Sequence, residues 1–420
     1  MFRLSFKFLQ KLKRNLFPFY KNKELKIIFK ILQKGFSDEK IVARFVGGCV
    51  RKHLLGENID DIDIATILTT EQIKERFKDT NFKIIETGVK HGTITLLSEK
   101  NKFELTTLRK DIATDGRHAE IEYTDNWQLD SERRDFTFNA IYLDISGKIF
   151  DPQMGTLDLK NNNVKFIGDP QKRIEEDYLR IIRFLRFKII YNFKIEPTTE
   201  SAIKQNLDGI KKISKERVLS ELFKIIIEKK RFLQINENNS LKEIFSIIFP
   251  EFLYLHRLER LKKIDDLSIL NKDIILAVLL IDEKDNYEYF AHKYNISNKL
   301  KSFLGNLASN LIKIQNKNFF DKDLTKNAYL YGKKHLIDLN LVNYSINSRL
   351  KLNDFNKNLK KISELKVPKF QIDGQYLKKN GMQEGQSIGK VLKIIETEWI
   401  KNSFKISDDR IKELIKANST

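Results

Sequence analysis

At 420 residues the chain exceeds one ordinary hydrophobic core, so about two to four subdomains are expected, and 41% apolar residues are enough to fold them. The formal charge of +20 points to a polyanionic partner, although the abundance of Lys, Asn, Ile and Phe is also what AT-rich codons would impose. One cysteine, Cys49, excludes an internal disulfide, and the longest clean apolar run, Ile274 to Ile281, falls far short of the roughly 20 residues that cross a bilayer.

The opening MFRLSFKFLQKLKRNLF is basic, with scattered apolar residues and no unbroken apolar core of the secretory kind. It reads as a leader over residues 1–24 packed on the head domain, with an amphipathic surface or RNA-contacting helix as the alternative. Lys23 to Lys34 predicts a helix. The stretch FVGGCVRKHLLGENIDDIDIAT then combines a strand (Arg44 to Val46), a glycine turn (Gly47, Gly48), a short helix (Val50 to Leu55) and a second strand carrying Asp61 and Asp63.

Successive strand side chains alternate between faces, so Asp61 and Asp63 share one face while Ile62 and Ile64 enter the core on the other. Two like charges held so close call for a cation, and hard oxygen ligands suit Mg²⁺. Glycines let backbone approach a ligand, and amides at a helix start beside Arg51 favour phosphate. Together these residues describe a site for Mg²⁺ and a triphosphate; alone, a DxD pair is more often a surface turn.

A helix over Thr70 to Phe77, capped by Thr69 or Thr70, precedes strands at Phe82 to Glu86, Thr93 to Leu97, Lys102 to Arg109 and Ala140 to Asp144. In KFELTTLR, alternation puts Glu104 on a face it can share with Asp61 and Asp63, offering a third carboxylate to a two-metal centre. His91 reads as structural, and six histidines without cysteine partners make no zinc site. Arg109 to Arg133 is a long polar loop, of a length that is usually functional or disordered. ERRDFTFNA, residues 132–140, comes next with Arg134, Asp135 and Asn139, groups able to hold a triphosphate and orient a ribose. DPQMGTLDLK from Asp151 fits a turn out of this domain.

Beyond Gly168 helical periodicity dominates. One long helix is predicted over Arg173 to Ile190, with others at Thr199 to Leu207 and at Lys215 to Lys229 behind Ser214 as cap. On the first, Asp177, Arg180 and Arg183 spread as adjacent teeth, with Arg186 about half a turn from Asp177. A carboxylate acceptor beside a guanidinium donor can read a base edge; the plainer alternative is a solvated ion pair. Glu216 and Arg217 read as braces. Near the C-terminus Gly374, Gly381, Gly385 and Gly389 punctuate short helices.

GGCVR, LLG, DIDIAT, RRDFTFNA and EEDYLRIIRFLRF resemble the nucleotidyltransferase superfamily, in the branch of class II tRNA CCA-adding enzymes and bacterial poly(A) polymerases. The resemblance spans roughly Leu25 to Lys230, and Lys52 departs from the usual aspartate. It implies an α+β fold: a polymerase-beta-like head with a small mixed sheet (25–168), then an all-helical neck (169–230), body (231–365) and RNA-binding tail (366–420). It implies that Asp61 and Asp63 bind Mg²⁺ with Glu104 as a further catalytic carboxylate. Nucleotide binding would fall to Gly47, Gly48, Arg51, Arg134, Asp135, Asn139, Asp177, Arg180, Arg183 and Arg186. DGRHA, within the polar segment, resembles the flexible element of CCA-adding enzymes, and the poly(A) polymerase signature around GRRFRLVH is absent. The implied reaction is addition of 3′-terminal CCA to the acceptor arm of tRNA from CTP and ATP, in the cytoplasm, with no membrane and no obligate protein partner. Poly(A) synthesis, partial CC or A addition, and an inactive RNA-binding relative remain open.

Overall fold

A computed structural model describes residues 16–88, 92–115, 118–282, 284–315, 318–383, 385 and 387–418. Contacts divide the chain into two compact units, residues 1–250 and 251–420.

The first unit is built on a seven-stranded mixed sheet in the order β3-β4-β5-β2-β1-β8-β9. Its strands are β1 (Ala43–Val46), β2 (Ile62–Thr66), β3 (Lys83–Gly88), β4 (Thr93–Leu97), β5 (Lys102–Thr107), β8 (Tyr142–Leu143) and β9 (Ile149–Phe150). All neighbours are antiparallel except β2 and β5, which run parallel with Asp63 opposite Glu104. The sheet is placed by its apolar face: Phe45 of β1 is fully buried, its ring 4.6 Å from Phe29 on helix α1 (Lys23–Gln33) and 4.9 Å from Phe19. Burying such rings supplies much of the core's driving force. Phe19 thus joins the segment before α1 to the sheet, while residues 1–15 of the predicted leader lie outside the described residues.

Helix α2 (Gly48–Leu55) begins inside the glycine turn, and α3 (Thr70–Phe77) has the predicted limits with a capping box from Thr69. The predicted polar loop after Arg109 is instead a hairpin, β6 (Arg109–Asp115) and β7 (His118–Tyr123), followed by α4 (Trp127–Glu132). Both faces of this two-stranded ribbon carry polar residues, so no apolar alternation announces it. Gly116 and Arg117 of DGRHA, like His91, lie outside the described residues.

Helix α5 (Gly155–Asn161) packs beneath the ERRDFTFNA segment. A Cβ on Gly155 would lie 2.2 Å from the Thr137 carbonyl oxygen, so only glycine permits that approach. The long helix expected from Arg173 is two helices, α6 (Pro170–Glu176) and α7 (Leu179–Tyr191), broken at Asp177. Asp177 has extended backbone (φ −157°) and its Oδ1 accepts the Leu179 amide at 3.1 Å, giving α7 a side-chain start that competes with continuous helix. Rings of Phe136 and Phe138 lock α7 to the head, 5.4 Å and 5.0 Å from the Phe187 ring. Helices α8 (Pro197–Asn206) and α9 (Lys215–Ile227) complete the part of this unit that bears on the site.

Every described element of the second unit is helical. Helix Lys272–Leu280 is apolar all round, with Ile274 to Leu280 buried, and it packs on helices Asn298–Lys313 and Lys333–Ile346. A separate cluster of Leu377, Met382, Val391, Ile395, Ile411, Leu414 and Ile415 closes the C-terminal helices. Among the described residues no helix is long and apolar enough to cross a membrane.

Candidate active site

Within the first unit a cleft of about 1310 Å³ is lined by Gly47, Gly48, Arg51, Asp61, Asp63, Arg134, Asp135, Asn139, Asp177, Arg180, Arg183 and Arg186, with further residues of α2, α6, α7 and α9. Twelve of the thirteen residues singled out from sequence meet there; Glu104 does not line it.

Asp63 sits in the β2 ladder, while Asp61 is one residue ahead of it, not inside the strand as expected. Gly47 has φ +73°, a left-handed conformation that favours glycine at the turn, and it lies beside Asp63 Oδ2. Burial pushes Asp63 up to about 6; Glu104 and Asp61 add repulsion, and Arg134 and Arg51 oppose it. Repulsion between half-buried Asp63 and exposed Asp61, both hard oxygen donors, fits a divalent cation held by the two. Glu104 stands opposite Asp63 in register, but its carboxylate pairs with Lys102 at 2.5 Å. Among the described residues no three His, Cys, Asp or Glu side chains assemble as a metal site. Glu104 therefore acts on Asp63 by repulsion from the neighbouring strand, while its own carboxylate is engaged by a part-exposed lysine on the same strand face.

Arg51 is buried. Its Nε donates to the Tyr191 hydroxyl at 3.3 Å, its Nη1 donates to Asn139, and its guanidinium lies 4.7 Å from the Phe187 ring centre. Asp130, invisible to the sequence reading, is the hub of the next layer. Its fully buried carboxylate accepts from Arg133 at 2.8 Å, Arg134 at 3.0 Å and the Tyr142 hydroxyl at 2.7 Å, and from the Arg109 amide at 3.3 Å. Burial alone would raise its pKa, but the two guanidiniums hold it well below the ordinary carboxylate range. The only clue in sequence is its spacing, three and four residues ahead of Arg133 and Arg134.

Asp135 is opposed in the same way. Burial raises it, yet Arg183 at 2.6 Å, Asn139 and the Phe136 amide bring it down to about 2. Arg183 is thus an ion-pair partner across the α7 interface. Arg186 pairs with buried Glu221 of α9 at 2.9 Å, and its desolvation lowers it to about 10. Arg180 donates to Glu176 at 2.5 Å and to the Arg173 carbonyl at 2.6 Å. Asp177 receives Arg217 of α9 at 2.7 Å, which makes Arg217 the expected brace of a residue within the cleft. The helical arithmetic that set Asp177 and Arg180 side by side is superseded: the break at Asp177 and the Arg217 pair place the carboxylate.

Residues 43–165 match the family described as "Poly A polymerase head domain", and residues 192–236 the one described as "Probable RNA and SrmB- binding site of polymerase A". Human "CCA tRNA nucleotidyltransferase 1, mitochondrial" is 32% identical over 92% of this chain and 89% of its own length. The chain belongs to the class II CCA-adding nucleotidyltransferases. The CCA-adding enzyme of Lactobacillus helveticus is 31% identical, covering 90% of this chain and 94% of its own. In fold, the chain is similar to the Bacillus stearothermophilus CCA-adding enzyme solved in complex with CTP, with a TM-score of 0.70 at 23% identity, over 94% of this chain and 98% of that one. The Thermotoga maritima CCA-adding enzyme complexed with tRNA superposes with a TM-score of 0.61 at 21% identity, over 94% and 95%. Nucleotidyltransferases of this family use a divalent metal.

Proposed function

We propose that the chain adds the 3′-terminal CCA to tRNA from CTP and ATP without a nucleic-acid template, and that the divalent ion is Mg²⁺ held by Asp61 and Asp63. One observation carries this: Asp61 and Asp63 line the same cleft as Asp177, held by Arg217, and Arg180, held by Glu176. Asp61 and Asp63 would hold the ion, which would supply Lewis acidity at the α-phosphate and at the RNA 3′-hydroxyl; that hydroxyl attacks in line and pyrophosphate leaves. Amides at the Gly47–Gly48 turn receive phosphate oxygens at a helix start. Arg134, held by Asp130 and Tyr142, offers a pre-placed cation to the triphosphate, and Asn139 is steadied by Arg51 and Asp135 for the ribose.

Base choice follows from donor and acceptor order. Cytosine and adenine each present an amino donor beside a ring-nitrogen acceptor, matching a carboxylate beside a guanidinium; uracil and guanine present a carbonyl beside an N–H, which opposes the same pair. Asp177 and Arg180 therefore take C or A. Arg183 and Arg186 hold that helix to Asp135 and Glu221 and line the cleft that would take the triphosphate. Within the head (25–168), neck (169–230), body (231–365) and tail (366–420) division, the basic helical part receives the acceptor arm through its phosphates and A-form shape. The cytoplasm is the assigned compartment, supported by a lone buried Cys49 that needs no oxidising environment.

A tRNA transcript ending at the discriminator base, incubated with Mg²⁺ and CTP, ATP or both, tests this at single-nucleotide resolution. Three additions that need both nucleotides and then stop are expected. A ladder of A on diverse RNAs, or addition of only CC or only A, would overturn it.

A further inference from the structure

Asp61 differs from Asp63 in lying just outside the ladder: β2 begins at Ile62, so no strand pairing fixes the backbone at Asp61. Ahead of it runs the connection that leaves α2 at Gly56. Two side-chain anchors hold this connection. Near its start Glu57 accepts from the Tyr191 hydroxyl at 3.1 Å, and that hydroxyl is itself tied to Arg51. Near its end Asp60, the residue before Asp61, accepts from Lys52 Nζ at 2.7 Å. Lys52 projects from α2, one residue after Arg51, and both Lys52 and Asp60 line the cleft. A loop whose ends are bound to a helix has few conformations left, so the carboxylate it delivers is held without a ladder.

We infer that Lys52 and Asp60 act as a pair of positioning residues for Asp61, the side-chain substitute for the strand pairing that Asp63 enjoys. The inference rests on the reading of Asp61 and Asp63 as metal ligands. For Lys52, positioning and simple electrostatics predict opposite signs, which makes the idea testable. Removing the lysine charge near a cation site strengthens cation binding through space, and removing the aspartate charge weakens it. If instead the pair works by holding Asp61, losing either partner weakens binding.

The probe is Mn²⁺ alone, titrated into the full-length chain and followed by its electron paramagnetic resonance, with thermal melting of each variant as a check on folding. Lys52→Met and Asp60→Asn are each expected to weaken Mn²⁺ binding, by about twofold to fivefold for a part-exposed pair. The double variant should be no weaker than either single one, because both substitutions break the same contact. The exchanged pair K52D/D60K should return to within about twofold of the parent. Shifts of opposite sign, unchanged affinity in the singles, or losses that add in the double variant would overturn the proposal. Asp61→Ala separates the two readings: its loss of Mn²⁺ binding together with opposite-sign shifts condemns the positioning idea alone, whereas parental Mn²⁺ binding in Asp61→Ala removes the metal reading and this proposal with it.

Discussion

The chemical end of the cleft and its base-reading end are held by different forces. Asp63 stands in a strand hydrogen-bonded on both sides, to β1 and β5, so its place follows from backbone pairing and a buried apolar face. Asp177 stands at a break between two helices and is placed by Arg217 and by its own capping of the next helix. A ladder gives one position, as in-line chemistry requires. A carboxylate held by ion pairs can adjust by small rotations, which suits a site that must accept C and then A.

Breaking the ladder-held end should have the largest effect. Asp63→Ala is expected to lower nucleotide incorporation by at least about a thousandfold in the tRNA extension assay. Its melting temperature without metal should not fall, because burial and repulsion make this carboxylate costly to the folded protein.

Next comes the hub between the two ends. Asp130→Ala leaves Arg133, Arg134 and the Tyr142 hydroxyl without their acceptor. A destabilisation of about 3 to 5 kcal/mol is expected in urea unfolding of the first unit's transition. A change under about 1 kcal/mol would mean that the arginines find other partners.

The Arg183–Asp135 contact sharpens the comparison by its pH dependence. Asp135 is brought down to about 2 in the folded chain, so its contribution is complete above the ordinary aspartate value and is lost as pH falls from about 4 to about 2. About 2 kcal/mol of acid sensitivity should therefore disappear in Asp135→Asn, read as a flatter plot of stability against pH over that window.

The smallest effect belongs to Glu104, whose carboxylate is already paired with Lys102. Glu104→Gln should reduce the extension rate by less than about fivefold. A thousandfold loss would mark it as a metal ligand.

The same contrast explains what was legible in the sequence. Strand alternation in DIDIAT, the glycine turn and the capped helix from Thr70 follow from local rules, and the sheet carries them nearly as expected. The hairpin after Arg109 hid because both its faces are polar, and the helix break hid because Asp177 sits in an unbroken helical pattern that a capping hydrogen bond overrides. The role of Asp130 and the partner that Arg217 braces were out of reach for another reason. Their partners are either packed into one buried cluster or, as with Arg217 and Asp177, 40 residues apart, and pairing at that distance is set by the packing of α7 against α9.

The separation of chemistry from base choice is tested most directly in Arg217→Ala, by measuring CTP-over-UTP discrimination and the single-turnover rate at saturating CTP on one tRNA. Discrimination should fall by about tenfold while the rate stays within about threefold of the parent, with Arg217→Lys recovering part of the loss. A collapse of the rate with discrimination intact would contradict the account and place Arg217 at the chemical end of the cleft.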